Sequence, residues 1–233
     1  MTSRVLPPTL PDLLSPGLDL VFVGINPGER SAERGHYYGH PGNAFWRTLS
    51  ASPLVTRAVT PEDDAFLTGE GRDIRPARSG PAGLNAASAL RIGFTDVVKR
   101  VLTDSTGITT AELAASAPEF RARIAAAAPR AVCFTSTRAF EAIYPRAWRA
   151  RAWGQQSVEP LAGAEVWVMP SPSGRAAAYH GEAATVLARL AESLHHPADQ
   201  PIPLPPSLRG KGDVMLGAAP PTAPQNHRAR RIA

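Results

Sequence analysis

Residues 20–46 read LVFVGINPGERSAERGHYYGHPGNAFW, and the fold is decided here. Leu20, Val21, Phe22 and Val23 form an all-apolar run that fits a parallel strand covered on both faces. The run passes straight into a turn, Gly24-Ile25-Asn26-Pro27-Gly28. Open α/β sheets place their ligands at the carboxyl ends of strands, so the turn is a site candidate by position alone. Its two glycines allow close backbone approach, Pro27 stiffens it, and Asn26 offers a donor and an acceptor on one amide. Two readings of Asn26 stand: it orients a water or a polar base edge, or it only closes the turn through an Asx bond. Gly35-His36-Tyr37-Tyr38 sets aromatics beside the turn, and Asn43 reads as the N-cap of a helix opening Ala44-Phe45-Trp46.

Outward from this stretch, strand-like and helix-like segments alternate. Residues 131–134 and 166–169 repeat the buried-strand pattern. Residues 91–98, RIGFTDVV, put Asp96 among apolar and β-branched neighbours at a strand or turn edge. A buried carboxylate is costly, so Asp96 there is either capped and solvated or held for chemistry. Short helices are expected over residues 84–90 and 136–144. A longer one spans 109–128, with Pro118 marking a start or kink, and an amphipathic helix closes the domain over 182–194. Residues 52–83, rich in Pro, Gly, Asp and Arg, read as a long and partly irregular connection. The expected fold class is α/β, a three-layer α/β/α sandwich around a short and mostly parallel sheet.

The 233 residues suffice for one core. Three parts are expected: a flexible lead-in at 1–17, a folded domain at 18–196, and a Pro-rich basic tail at 197–233 too poor in large apolar residues to fold. No run of eighteen apolar residues marks a membrane span and no apolar h-region marks a signal peptide, which points to a cytoplasmic protein. A lone Cys133 excludes an internal disulfide or a thiolate-bound cluster, and no HExxH or His/Cys group suggests zinc. Metal-free chemistry without a cofactor is expected. The net charge of +5 suits nucleic acid, but residues 207–233 carry +4 of it. The remainder is nearly balanced, so any basic DNA-binding face must be local.

The blocks GINPG, GHYY and PGNAFW resemble the first signature of the mismatch-specific uracil/thymine DNA glycosylases, within the uracil-DNA glycosylase superfamily. A second block, MPSPSGR at 169–175, matches that family's DNA-wedge loop, and the likeness spans residues 18–195. The resemblance implies an enzyme that flips uracil out of mismatched duplex DNA and hydrolyses its N-glycosidic bond. By resemblance, Gly24, Ile25, Tyr38 and Ser171 form the base pocket, with Tyr38 stacking on the extruded pyrimidine. Ser173, Gly174 and Arg175 hold DNA, with Arg175 as the wedge; otherwise Arg175 only pairs with a phosphate. Asn26 orients the attacking water toward C1′. Asp96 follows the GFT segment that lines the family's base pocket. An amide is not basic near neutral pH, so Asp96 is the expected general base. Fast uracil-specific members carry a histidine where Met169 stands, so the leaving base here depends on backbone amides. Duplex DNA with a mismatched or damaged pyrimidine is the expected partner of a monomeric enzyme.

Two other classes share some of these features. A non-catalytic mismatch reader would use the same wedge and stacking residues, and Asn26 with Asp96 argues against it. A nucleotide-binding α/β protein would also have a Gly turn after a strand, but neither GxGxxG nor GxxxxGK[ST] is present.

Overall fold

The apolar runs become strands because each is buried on both faces, which a parallel sheet between two helical layers achieves. The computed structural model describes residues 7–69, 90–148 and 152–195. In chain order the elements are β1 (Leu20–Gly24), α1 (Glu29–Arg34), α2 (Phe45–Ser50), α3 (Asp64–Leu67), β2 (Ile92–Asp96), α4 (Thr110–Ala127), β3 (Ala131–Phe134), α5 (Thr137–Ile143), β4 (Gly154–Gln155), β5 (Glu165–Val168) and α6 (His180–His195). The sheet order is β2-β1-β3-β5-β4. The first four strands in that order are parallel, and β4 is an antiparallel edge on β5. This is the expected three-layer α/β fold, with β3 at the centre of the sheet and β1 between β2 and β3.

Alternation along the strands divides the core. Phe22, Phe94, Cys133 and Trp167 point to one face, where they meet Phe45 and Leu49 of α2 and Leu187 and Leu190 of α6. Val21, Val23, Phe134 and Val168 point to the other, against Phe120 and Ile124 of α4 and Phe140 of α5. Ser136 caps α5 by accepting from the Arg138 N–H, and Thr109 caps α4 by accepting from Glu112. Asn43 accepts from the Phe45 N–H at 2.9 Å, so it prepares the start of α2 one residue before the cap position, Ala44.

Two further sequence expectations change, and one strand is new. Helix α4 runs through Pro118 without a break. Pro118 and Ala114, whose carbonyl lacks its donor, both face solvent, where water can replace the lost hydrogen bond. Strand β4 was not foreseen, because two residues carry no periodicity. Residues 7–17, expected as a flexible lead-in, lie against the sheet. Leu10 is buried, and Leu13 exchanges both backbone hydrogen bonds with Phe94, at 2.9 and 3.0 Å. Leu14 and Leu18 reach across Gly93 to hold this segment down. Within the expected connection at 52–83, the described part carries a 3-10 turn at Pro61–Asp63 and then α3. The tail at 197–233 and most of the helix expected at 84–90 lie outside the described residues. No helix among the described residues is long and apolar enough to cross a membrane.

Gly93 shows how tightly this segment is applied. A Cβ on Gly93 would lie 2.4 Å from Leu18 Cδ1 and 2.6 Å from the Leu13 carbonyl oxygen. Gly93→Ala is therefore expected to destabilise the fold by about 1–3 kcal/mol, as overpacking does. Chemical denaturation checks this, as a lower midpoint at unchanged slope. An unchanged midpoint would mean that residues 7–17 yield freely.

Candidate active site

The carboxyl ends of β1, β2, β3 and β5 open into one cavity of about 800 Å³. The loops that follow these strands form its walls, where an open α/β sheet is expected to bind a ligand. All nine site residues expected from sequence line it: Gly24, Ile25, Asn26, Tyr38, Asp96, Ser171, Ser173, Gly174 and Arg175.

Asp96 ends β2 directly opposite Gly24, the last residue of β1. A Cβ on Gly24 would lie 2.2 Å from Asp96 Oδ1, so the carboxyl occupies space that only a glycine leaves free. Asp96 is 4% exposed, and its Oδ2 is buried without a hydrogen-bond partner. Burial pushes this carboxyl up to about 7; Lys99 and Arg123 oppose the rise and Asp12 adds to it. Such a group changes charge near neutrality, as a general base at physiological pH requires.

The Asn26 amide has a fixed orientation. Its Nδ2 donates to the Pro27 carbonyl at 3.0 Å and to the Arg100 carbonyl at 3.1 Å. The opposite atom, Oδ1, is buried without a partner. Asn26 is thus held by the loop after β2, and its acceptor stays uncommitted. The Asx turn weighed from sequence is not what the side chain does.

Tyr38 sits at φ +51°, in the left-handed region that costs a non-glycine residue about 1 kcal/mol or more. Its ring lies on Phe45 at 4.0 Å between centroids and 18° between planes, and its hydroxyl meets Thr135 Oγ1 at 3.2 Å. The strained backbone is held by these two contacts, and the ring becomes a rigid wall of the cavity. Tyr37 and Phe45 belong to the core. His36 pairs with the buried Asp64 carboxylate at 3.1 Å, a structural tie between the aromatic turn and α3.

The second block is anchored at its base. The Ala44 N–H donates to the Pro172 carbonyl at 2.8 Å, joining this loop to the start of α2. Met169 is fully buried in the core and does not line the cavity. Arg175 is exposed at the cavity rim, and its two Nη atoms donate to the two Asp104 carboxylate oxygens at 3.1 and 2.6 Å. Arg175 is thus committed to Asp104 in this structure. Asp104, Thr135, His40 and Leu10 also line the cavity. Sequence reasoning missed them: Leu10, Asp104 and Thr135 lie outside the recognisable blocks, and His40 falls between GHYY and PGNAFW with no spacing that marks it. Among the described residues no three His, Cys, Asp or Glu side chains gather as metal ligands.

The raised carboxyl has a consequence for stability. The unfolded chain holds the Asp96 proton at about 4, and the folded chain holds it more tightly. The fold therefore weakens as pH rises from about 4 to about 7, and the loss is complete above that. Asp96→Asn removes the buried charge. Thermal unfolding should find the variant more stable than wild type at pH 8 by roughly a few kcal/mol, with the gap shrinking toward pH 5. A gap independent of pH would contradict the buried setting of this group.

The chain is similar to a solved structure and to a family model. The solution NMR structure of a protein from Methanosarcina acetivorans, described as a putative uracil DNA glycosylase, is 20% identical. The match covers 78% of this chain and 97% of that one, with a TM-score of 0.42. The family model of the uracil DNA glycosylase superfamily matches residues 11–195, which include residues 11–17 of the lead-in segment and every strand of the sheet. This chain belongs to the uracil DNA glycosylase superfamily.

Proposed function

We propose that this chain is a monofunctional DNA glycosylase that excises uracil from mismatched duplex DNA, with uracil opposite guanine as its preferred target. One observation carries the proposal. Two buried acceptors without partners, Asn26 Oδ1 and Asp96 Oδ2, belong to one cavity at the ends of adjacent strands. Unpartnered buried acceptors are costly, and a water donating one hydrogen to each would satisfy both. Its lone pair is then free to attack.

In the proposed reaction the extruded uracil lies against Tyr38, where stacking on an aromatic contributes roughly 1–3 kcal/mol. As the C1′–N1 bond breaks, positive charge grows on the sugar and the electron pair leaves with the base. The Asp96 carboxylate stabilises that cation and takes a proton from the water as the new C1′–O bond forms. Asn26 positions the water and takes no proton. Ser171 and the 173–175 backbone hold the DNA, and Arg175 leaves Asp104 to fill the gap in the stack. No histidine stands at the position of Met169, so the leaving base depends on amide donors, and thymine is expected to leave far more slowly than uracil.

Single-turnover release of uracil from a labelled duplex with U opposite G tests this. Wild type should free uracil. Asp96→Asn should be slower by about 10²–10⁴ and Asn26→Ala markedly impaired, both with duplex binding retained. An unimpaired Asp96→Asn would remove Asp96 as the base. Wild type that binds the mismatch yet releases no pyrimidine would make the chain a mismatch reader.

A further inference from the structure

Next to β2, and outside the cavity lining, three charged side chains from distant parts of the chain meet. Asp12 comes from the 7–17 segment, Lys99 from the loop after β2, and Arg123 from α4. Lys99 Nζ donates to Asp12 Oδ1 at 2.9 Å, and Arg123 Nε lies 3.2 Å from Asp12 Oδ2. All three side chains are less than a quarter exposed. The cluster is tied to β2 at two points. Thr95 Oγ1 donates to Asp12 Oδ1 at 2.5 Å, and Arg123 Nη2 donates to the Asp96 carbonyl at 2.8 Å. Lys99 Nζ also reaches the Tyr37 hydroxyl at 3.2 Å.

We propose that Asp12 and Lys99 are positioning residues for the base: with Arg123 they form a charge support whose balance decides when the Asp96 carboxylate is ionised. The proposal rests on the glycosylase reading of the site. Two cations next to one carboxylate would hold Asp96 ionised at low pH and make it a weak base. Asp12 offsets them. Without the cations, a buried carboxyl facing Asp12 would stay protonated at neutral pH and accept nothing. Among the described residues, the other groups that feel the Asp96 charge are the phenols of Tyr37 and Tyr38, both pushed up first by burial and then by Asp96, so they stay neutral. Asp12, Lys99 and Arg123 are therefore the charges that count. Asp12 also explains the order in residues 7–17: the segment brings in the one anion of the cluster.

The two substitutions should move the base in opposite directions, which a merely structural role would not do. Single-turnover uracil release from a U:G duplex is measured against pH for wild type, Asp12→Asn, Lys99→Met and Lys99→Arg, each checked for a native circular dichroism spectrum. The acid limb of the profile should move to lower pH in Asp12→Asn, because two cations lose their counter-charge. It should move to higher pH in Lys99→Met, each by about half a pH unit or more, and return to the wild-type position in Lys99→Arg. Folded variants whose limbs do not move, or move the same way, would overturn the inference. If Asp12→Asn does not fold, the contrast of Lys99→Met with Lys99→Arg decides it alone. Wild type that frees no uracil would sink the glycosylase reading; an active wild type with unmoved limbs sinks only the charge support.

Discussion

The site depends on a carboxyl group standing where a neighbouring strand has no side chain. Gly24 and Asp96 are partners in the parallel pairing of β1 with β2, and the Asp96 carboxyl fills the volume that a Cβ on Gly24 would need. The same register that buries Leu20 against Ile92 and Phe22 against Phe94 delivers this carboxyl to the mouth of the sheet. Its position is thus fixed by the core and not by a loop. Rigid elements hold functional groups more accurately than loops do, and a buried carboxyl pushed up to about 7 needs such support.

Around that point the protein accepts several local costs. Tyr38 takes a left-handed backbone, two acceptors lie buried without partners, and a cluster of three charges is packed behind β2. Costs of this kind collect at functional sites, where surrounding structure over-determines them. Here the surroundings are the Phe45 ring under Tyr38, the two carbonyls that fix Asn26, and residues 7–17 pinned to β2. Each cost is met by a contact from a different part of the chain. The two unpartnered oxygens are the exception.

Much of this was legible in the sequence because the decisive residues sit in blocks next to strong strand signals. LVFV followed by GINPG places Asn26 at a strand end, and IGFTD places Asp96 likewise; periodicity and turn chemistry suffice for both. The three layers follow from the alternation of buried runs and helices. The lead-in was not legible. Its prolines and weak periodicity hide two backbone bonds to Phe94, and Asp12 has no neighbour in sequence that betrays its partners. Arg123 is one of several arginines on an alanine-rich helix, and only the fold shows that it faces Asp96. The Arg175–Asp104 pair joins positions 71 residues apart and carries no local signal either. Local pattern reveals what strands deliver; long-range charge pairing has to be seen.

The central claim is that Asp96 is a buried carboxyl whose proton is exchanged near neutral pH. A ¹³C NMR titration of carboxyl-labelled aspartate, with the Asp96 signal assigned by its loss in Asp96→Asn, measures this in the free protein without reference to any substrate. The account predicts a midpoint near 7. A midpoint near 4, the ordinary value for an aspartate, would mean that the carboxyl is solvated and that the chemistry proposed for it is wrong.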